Sequence, residues 1–163
     1  MELTAIVITC SDKASKGERV DTSGEYIKDF LTEKGFLVKE KVIISDDLET
    51  IKKTLLHYTD IDKVDLIITT GGTGFSPRDN TPEATLEVIK RNVPGISEML
   101  RSESFKKTKR AYLSRGVSGI RDRTLIINLP GSLKAVQENC SFLDDVLDHG
   151  IKILKSVDTD CGQ

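Results

Sequence analysis

Short apolar runs alternate along the chain with segments whose apolar residues recur every three or four positions. Residues 3–9 are almost all apolar and rich in Ile and Val, which is typical of a strand covered on both faces. A later segment brings Ile27, Phe30 and Leu31 to one side of a helix. The alternation of these two patterns predicts a sheet whose strands are connected by helices.

The pattern predicts four strands and five helices. The strands are residues 3–9, 36–44, 64–69 and 124–129. The first predicted helix is capped by Thr22, the second by Asp46 or Asp47, and the third by Thr81. Two more helices are predicted to start near Ile96 and Ser132. Because the helices return the chain to the next strand, the predicted fold class is α/β, a single three-layer domain with a mostly parallel sheet and helices on both faces. We expect one domain over residues 1–163, with a core of about 3–154 and a short C-terminal tail.

Charge and composition exclude several classes of protein. The 163 residues carry a formal net charge of -2 and a pI near 5.8, whereas a nucleic-acid-binding protein usually has a basic face. No apolar stretch is long enough to span a membrane, and the first residues lack the basic start of a signal peptide. Cys10, Cys140 and Cys161 are widely spaced, which indicates neither a disulfide framework nor a zinc site. We therefore expect a cytoplasmic protein that binds neither nucleic acid nor membrane.

Polar or glycine-rich segments follow all four predicted strands. They are Ser11-Asp12, residues 45–47, residues 71–74 and residues 128–132. In open parallel sheets, ligands bind beyond the carboxyl ends of the strands. These four segments are therefore predicted to converge on one binding site.

The segment TTGGTGFSPRDNTPEAT, residues 69–85, connects a predicted strand to a predicted helix. Glycines at this place let backbone N–H groups approach an anion, and the N-terminus of the following helix also favours negative charge. A tight turn without a ligand is the alternative, but the polar residues of the loop favour a phosphate site. The segment is not a Walker A loop, because it has no lysine, and Pro77 stands where a dinucleotide-binding loop has its third glycine.

Three aspartates are predicted to lie beside this glycine loop, namely Asp12, Asp46 and Asp79. A helix cap or a loop brace is the alternative interpretation of such residues. Carboxylates repel phosphates unless a cation lies between them, so the combination favours Mg²⁺ held by one or two carboxylates and by phosphate oxygens. No G-x-S-x-G segment is present, and neither His57 nor His149 lies at a strand end, so a covalent nucleophile is not expected.

Several motifs, taken in their order along the chain, resemble those of a known family. They are Ser11-Asp12, Asp21-Thr22-Ser23-Gly24, ISDD at residues 44–47, the glycine loop, LSRGVSGIRDRTLIINLPGS at residues 113–132, and Lys134-Ala135-Val136. Over about residues 3–154 the chain resembles the molybdenum cofactor biosynthesis proteins of the bacterial molybdopterin adenylyltransferase type. It departs from their usual pattern at Ser45, Asp122 and Leu133, which bears on the shape of the loops rather than on the charged residues.

The resemblance implies an Mg²⁺-dependent enzyme that transfers AMP from ATP to the terminal phosphate of molybdopterin and releases pyrophosphate. It implies that Asp46 and Asp79 are catalytic and bind the metal. Gly71, Gly72, Thr73 and Gly74 would bind the nucleotide, and substrate binding would fall to Ser11, Asp12, Ser114, Asn128, Pro130, Gly131 and Ser132. A homotrimer is implied as well, and so is a hand-over of the product to a molybdate-inserting protein. The alternative is a paralogue of the same fold that binds molybdopterin without catalysis.

Overall fold

A six-stranded sheet forms the centre of the computed structural model, which describes residues 2–155. In chain order the strands are β1 (Leu3–Cys10), β2 (Phe36–Ile44), β3 (Leu66–Thr70), β4 (Arg91–Asn92), β5 (Ser118–Arg121) and β6 (Thr124–Leu129). They lie side by side in the order β2-β1-β3-β6-β5-β4, and of these six strands only β5 runs in the direction opposite to the other five. The predicted, mostly parallel sheet is therefore confirmed.

Six α-helices accompany the sheet within the described residues. They are α1 (Asp12–Ser15), α2 (Thr22–Glu33), α3 (Leu48–Leu56), α4 (Thr81–Val88), α5 (Pro94–Phe105) and α6 (Leu133–Leu154). A π-helical turn, His57–Ile61, continues α3, and a 3₁₀ turn, Lys109–Leu113, follows α5. Within residues 2–155, no helix is long and apolar enough to cross a membrane. The predicted C-terminal tail and Cys161 lie outside the described residues.

Alternate residues of β1 point to opposite sides of the sheet, and both sides are covered. Ala5 and Val7 pack with α2, α5 and α6 in one apolar cluster. Ile6 and Ile8 pack with α3 and α4 in a second cluster on the other side. All four side chains are 0% exposed. Burial on both faces explains why β1 has an almost continuous apolar sequence, and it confirms the three predicted layers.

The predicted strands agree with β1, β2, β3 and β6 to within two residues at their ends. The sequence pattern misses β4 and β5, because strands of two and four residues are too short to show an alternation. Strand β5 is recognisable only from its pairing with β6 across a tight turn that contains Asp122, whose φ is +50°. The antiparallel end of the sheet is therefore a feature that only the structure reveals.

Two of the predicted helix caps are wrong by one residue. Helix α2 is capped by Asp21, whose Oδ1 accepts a hydrogen bond from the N–H of Gly24 at 2.9 Å, and not by Thr22. Helix α4 starts after Asn80, so Thr81 is its first residue rather than its cap. Aspartate, asparagine and threonine are all favoured at the cap position, so the local sequence does not separate Asp21 from Thr22 or Asn80 from Thr81.

The structure shows which of two adjacent aspartates, Asp46 or Asp47, caps helix α3. Asp47 is its cap, because its Oδ2 accepts a hydrogen bond from the N–H of Thr50 at 2.9 Å. The carboxylate of Asp46 takes no part in starting the helix and points to other partners, which are described below.

An ion pair holds the π-helical turn against strand β5. The Nε and Nη2 atoms of Arg121 each donate to one oxygen of Asp60 at 2.7 Å. The Nη1 atom donates to the carbonyl of Val88, at the end of α4, at 3.0 Å. The hydrogen bonds from Arg121 lower the pKa of Asp60 to about 2. One guanidinium thus connects the turn, helix α4 and the antiparallel end of the sheet.

Replacing Asp60 by asparagine is expected to lower the free energy of unfolding by about 1 kcal/mol at neutral pH, because a paired arginine contact at a partly exposed site is lost. Since the folded state lowers the pKa of Asp60, the ionised carboxylate stabilises the fold above its ordinary pKa of 3.8, and this stabilisation disappears as the pH falls to about 2. Urea unfolding of the wild type and of Asp60→Asn, at neutral pH and near pH 2, measures how much stability the substitution removes at each pH. Asp29→Asn, an exposed carboxylate of α2, is the control. If Asp60→Asn lowers the free energy of unfolding by the same amount in acid and at neutral pH, the prediction is contradicted.

Candidate active site

The loops that follow the parallel strands lie against one another at one edge of the sheet. The N–H of Ser11, after β1, donates to the last carbonyl of β2 at 2.9 Å, and the N–H of Gly71, after β3, donates to the last carbonyl of β6 at 3.1 Å. The hydroxyl of Thr70 donates to the carbonyl of Pro130 at 2.6 Å. The structure thus brings together the four segments that the strand ends predicted.

Glycines let the loop after β3 pass close to its neighbours. Gly71 and Gly72 have φ angles of +92° and +67°, in the region that favours glycine. A Cβ atom on Gly71 would lie 2.4 Å from the carbonyl oxygen of Cys10. A Cβ atom on Gly72 would lie 2.4 Å from the hydroxyl oxygen of Thr81 and 3.1 Å from Oδ1 of Asp46. The bare backbone of this loop therefore occupies the space between β1, α4 and an acidic side chain.

Asp12 and Asp46 hold each other through two hydrogen bonds between backbone and side chain. The N–H of Asp12 donates to Oδ2 of Asp46 at 2.9 Å, and the N–H of Asp46 donates to Oδ1 of Asp12 at 3.0 Å. Oδ1 of Asp46 is buried and has no hydrogen-bond partner in the described part of the chain. Burial raises the pKa of Asp46, and the negative charges of Asp12 and Asp79 raise it further.

Arg78 and Asp79 are neighbours in the glycine loop but make different contacts. Oδ2 of Asp79 accepts a hydrogen bond from the N–H of Ser76 at 3.0 Å. The guanidinium of Arg78 donates to both oxygens of Asp12, from Nε at 3.0 Å and from Nη2 at 2.9 Å. The hydrogen bonds from Arg78 lower the pKa of Asp12. Three carboxylates and one guanidinium therefore share this edge of the sheet.

The acids fit a divalent cation that is shared with a ligand. Within residues 2–155, no group of three or more His, Cys, Asp or Glu side chains is arranged to hold a metal ion by itself. Asp46 nevertheless presents one buried, unpaired oxygen, and Asp79 adds a second negative charge nearby. Mg²⁺ in proteins is commonly held by one or two carboxylates together with water and phosphate oxygens. These residues therefore suit an ion that phosphate groups also bind.

Two cavities open at this edge and share one wall. The first has a volume of about 460 Å³ and the second about 510 Å³, and Gly72, Asp79, Gly131 and Ser132 line both. Helices α5 and α6 and the 3₁₀ turn bound the first cavity with polar side chains that include Ser97, Arg101, Ser104, Arg110, Glu138 and Asn139. The segments after β1, β3 and β6 contribute most of the second cavity, and its lining includes Thr9, Ser11, Arg19, Asp21, Ser23 and Asp46.

The predicted site residues are divided between the two cavities. Those that line only the first are Thr73, Gly74, Ser114, Asn128 and Pro130. Those that line only the second are Ser11, Asp46 and Gly71. Asp12 lines neither cavity, and its carboxylate is bound to Arg78 instead. The assignment of substrate contacts to these residues stays a prediction.

Asn128 uses its side chain inside the protein. Its Oδ1 accepts a hydrogen bond from the N–H of Val117 at 3.2 Å. Its Nδ2 donates to the hydroxyls of Thr69 and Thr85, both at 3.0 Å. The residue is 3% exposed, so its amide mainly connects β6 to β3 and α4 beneath the first cavity.

Arg115 is a residue of the site that sequence reasoning missed. Its Nε donates to the carbonyl of Gly74 at 2.7 Å, and its Nη2 donates to the carbonyl of Asp79 at 2.9 Å. Its Nη1 donates to the carboxylate of Glu83, and its own N–H donates to the carbonyl of Thr73 at 2.8 Å. The arginine therefore holds both ends of the glycine loop. The partners of its guanidinium lie 32, 36 and 41 residues away along the chain, so no local pattern could have revealed these contacts.

Asp21 is a second missed residue, and it lines the second cavity. Its Oδ2 accepts hydrogen bonds from the hydroxyl of Thr9 at 2.7 Å and from the ammonium group of Lys41 at 3.1 Å. Its Oδ1 accepts a hydrogen bond from the N–H of Gly24, as described above. The sequence marks Asp21 as the residue before a helix start and as the first residue of the motif Asp21-Thr22-Ser23-Gly24, but neither signal indicates that it lines a cavity.

The histidines and the cysteine nearest the site offer little nucleophilic chemistry. Neither His57 nor His149 lines either cavity. Cys10 lines the second cavity, but burial raises the pKa of its thiol to about 12, so the unreactive protonated form dominates at neutral pH. Within the described residues, both cavities therefore offer charge and backbone polarity rather than a covalent nucleophile.

The chain is similar to proteins of molybdenum cofactor synthesis from several organisms. It is 43% identical over 136 residues to a molybdopterin adenylyltransferase of Helicobacter pylori, in an alignment that covers 81% of this chain and 76% of the relative. It is 38% identical over 154 residues to the molybdenum cofactor synthesis protein cinnamon of Drosophila melanogaster. That alignment covers 93% of this chain but 26% of the Drosophila protein, so the chain spans about a quarter of that relative's length.

The fold is shared with a solved structure, and the sequence matches a family. The crystal structure of the molybdopterin biosynthesis enzyme MoaB from Thermus thermophilus has a TM-score of 0.89 and 43% sequence identity to this chain, and the match covers 94% of this chain and 97% of that one. A sequence model of the probable molybdopterin binding domain matches residues 6–149, which include the loops after all four parallel strands. The chain therefore belongs to the family of probable molybdopterin-binding domains.

Proposed function

We propose that this protein is a molybdopterin adenylyltransferase of molybdenum cofactor biosynthesis. It transfers AMP from ATP to the terminal phosphate of molybdopterin and releases pyrophosphate. The observation that carries this proposal is the pair of cavities with a common wall of Gly72, Asp79, Gly131 and Ser132. Similarity to a relative with that name, at 43% identity over 136 residues, supports it.

Adenylyl transfer needs two substrates whose phosphate ends meet. Adjoining cavities of about 460 and 510 Å³ would each receive the ring system of one substrate, with the phosphates side by side at the common wall. Glycines in that wall allow phosphates to approach the backbone. Ser132 caps α6, a helix of 22 residues whose positive N-terminal end favours negative charge at the same place.

In the proposed step, an oxygen of the terminal phosphate of molybdopterin attacks the α-phosphorus of ATP. A new P–O bond forms, the bond between the α-phosphorus and the oxygen that bridges to the β-phosphorus breaks, and pyrophosphate leaves with that electron pair. The attacking oxygen is already ionised at neutral pH, so no general base is required. The site has to align the phosphates and offset their charge, which supplies most of the catalysis in such transfers.

Asp46 and Asp79 are the residues that would hold Mg²⁺ in this site. When bound, the ion would offset the negative charge of the phosphates and make the α-phosphorus more electrophilic. Asp46 is oriented by the N–H of Asp12, and Asp79 by the backbone of its own loop, so neither carboxylate has to be ordered when the substrates bind. Arg115 holds the part of the glycine loop that includes Asp79, through the carbonyls of Gly74 and Asp79.

The remaining assignments follow the two cavities. Residues 71–74 would hold the phosphates of the nucleotide through their backbone. Contacts to the substrates are proposed for Ser11, Ser114, Asn128, Pro130, Gly131 and Ser132. The domain is proposed to act in the cytoplasm and to pass its product to a molybdate-inserting protein.

Replacing Asp46 by asparagine should reduce pyrophosphate release by roughly a hundredfold or more, because a neutral amide is a poor Mg²⁺ ligand. The measurement is pyrophosphate formation from molybdopterin and ATP in the presence of Mg²⁺. Asp47→Asn is the matched control, since the neighbouring aspartate caps α3 and asparagine caps helices equally well. Wild-type protein that binds molybdopterin tightly but never releases pyrophosphate would refute the proposal and identify a binding-only paralogue.

Filling each cavity separately should affect one substrate at a time. Ala135 lines the first cavity and Ala14 the second, so Ala135→Leu and Ala14→Leu form a matched pair. Each variant is expected to raise the KM for one substrate by roughly tenfold, because the added side chain occupies space that this substrate needs. The two variants should affect different substrates. If both raise the KM for the same substrate, the division of the site between the cavities is wrong.

A homotrimer is proposed as the assembled form. Several large apolar side chains remain at the surface of the single chain, among them Val20, Phe75, Tyr112 and Leu113, which are 81%, 71%, 55% and 51% exposed. Subunit contacts would remove some of this area from water. Light scattering after size-exclusion chromatography should give three times the mass of one chain, and a monomer would contradict this assignment.

A further inference from the structure

Both carboxylate oxygens of Asp12 are occupied by groups of the protein itself. Oδ1 accepts hydrogen bonds from the N–H of Asp46 at 3.0 Å and from Nη2 of Arg78 at 2.9 Å. Oδ2 accepts a hydrogen bond from Nε of Arg78 at 3.0 Å. Asp12 lies outside the lining of both cavities. This saturated geometry suits a residue that orients a neighbour better than one that contacts a substrate.

Asp46 is held from three directions, and a single oxygen is left over. The N–H of Asp12 fixes Oδ2 at 2.9 Å, and the N–H of Asp46 is bound by Asp12 in return. The side chain of Asn80 donates to the carbonyl of Asp46 at 2.9 Å. Within Asp46, only Oδ1 is buried without a hydrogen-bond partner among the described residues, and it faces the backbone of Gly72.

We propose that Arg78 and Asp12 are positioning residues that fix Asp46 so that its Oδ1 faces the divalent cation. Arg78 locks Asp12, and Asp12 in turn holds both the backbone and one carboxylate oxygen of Asp46. This inference deepens the proposed function and rests on it, since the cation is the one that accompanies ATP.

Charge and geometry both explain why an arginine is required at this position. Without a guanidinium, the carboxylates of Asp12 and Asp46 would repel each other across their shared hydrogen bonds. Arg78 binds both oxygens of Asp12 from one planar group, which a single ammonium group cannot reproduce. Partners that orient a metal ligand in this way commonly change metal affinity by roughly tenfold to a hundredfold when they are removed.

Direct phosphate binding is the competing role for Arg78. Its side chain is 57% exposed, and two of its nitrogens are already bonded to Asp12. A direct phosphate contact would strengthen ATP binding with or without a metal ion. A positioning role would change only the part of the affinity that the metal ion adds.

Isothermal titration of ATP, once with Mg²⁺ and once with EDTA, separates these roles. In Arg78→Gln and Asp12→Asn, the gain in ATP affinity caused by Mg²⁺ should fall by roughly tenfold, whereas binding in EDTA should stay at the wild-type value. The double variant should lose no more than either single variant, because both act through Asp46. Arg78→Lys keeps the positive charge but makes one contact fewer with Asp12. It should retain part of the Mg²⁺-dependent increase in ATP affinity.

Arg91→Gln is the control, since it removes an exposed arginine from β4 at the far end of the sheet by the same substitution. Melting temperatures show whether each variant is folded. An equal loss of affinity with Mg²⁺ and with EDTA would overturn the inference in favour of a phosphate contact. If Mg²⁺ increases the ATP affinity of these variants as much as that of the wild type, the inference is also overturned, whether or not their melting temperatures are lower. Wild-type protein without any Mg²⁺ gain would instead refute the proposed function, and the inference with it.

Discussion

The parallel register of strands β1, β3 and β6 is the constraint on which the candidate active site depends. Thr9 pairs with Thr70, and Thr70 pairs with Leu129, so these three strands end at one level. Strand β2 ends beside them, where Ile44 pairs with Cys10. Hydrogen bonding along the sheet thus brings four loops to one edge before any loop residue makes a contact. A slip by one residue would turn every side chain of a strand to the opposite face of the sheet, so packing in the two apolar clusters holds this alignment.

Close approach of loop backbones then converts the edge into two adjoining cavities. Gly71 lies against the end of β1, and a Cβ atom on Gly131 would come within 3.3 Å of the Cα atom of Gly71. Gly72 lies between Thr81 and Asp46 in the same manner. Side chains at these three glycines would push the loops apart. Because the wall between the cavities is largely backbone, groups bound on its two sides can lie close enough to react, which is what a transfer between two substrates requires.

The carboxylate of Asp46, one of the charged groups at this edge, has a buried oxygen without a hydrogen-bond partner in the described residues, where the hydroxyl of Thr81 and one carboxylate oxygen of Glu83 lack a partner too. A buried carboxylate oxygen without a partner costs stability in an ordinary protein interior. Here the rest of Asp46 is well bonded, through Asp12 and Asn80, and Asp12 is bonded through Arg78. Within Asp46, the cost of burying an unpaired oxygen therefore falls on Oδ1 alone, where a cation would offset it. Local departures from good packing and pairing tend to mark functional sites, and this one lies at the edge where the loops meet.

Strands β1, β2, β3 and β6 were predictable because each is a contiguous apolar run. The same local pattern could not reveal β5, or a partner as distant as Arg115 is from the glycine loop. By itself the sequence determined the fold class, the family, the glycine loop and the acids at the strand ends, because neighbouring residues encode all of these. Only the tertiary structure decided which oxygen of Asp46 stays open, that Arg78 binds an aspartate 66 residues away, and that two cavities share one wall. Those features depend on contacts between segments that are far apart along the chain.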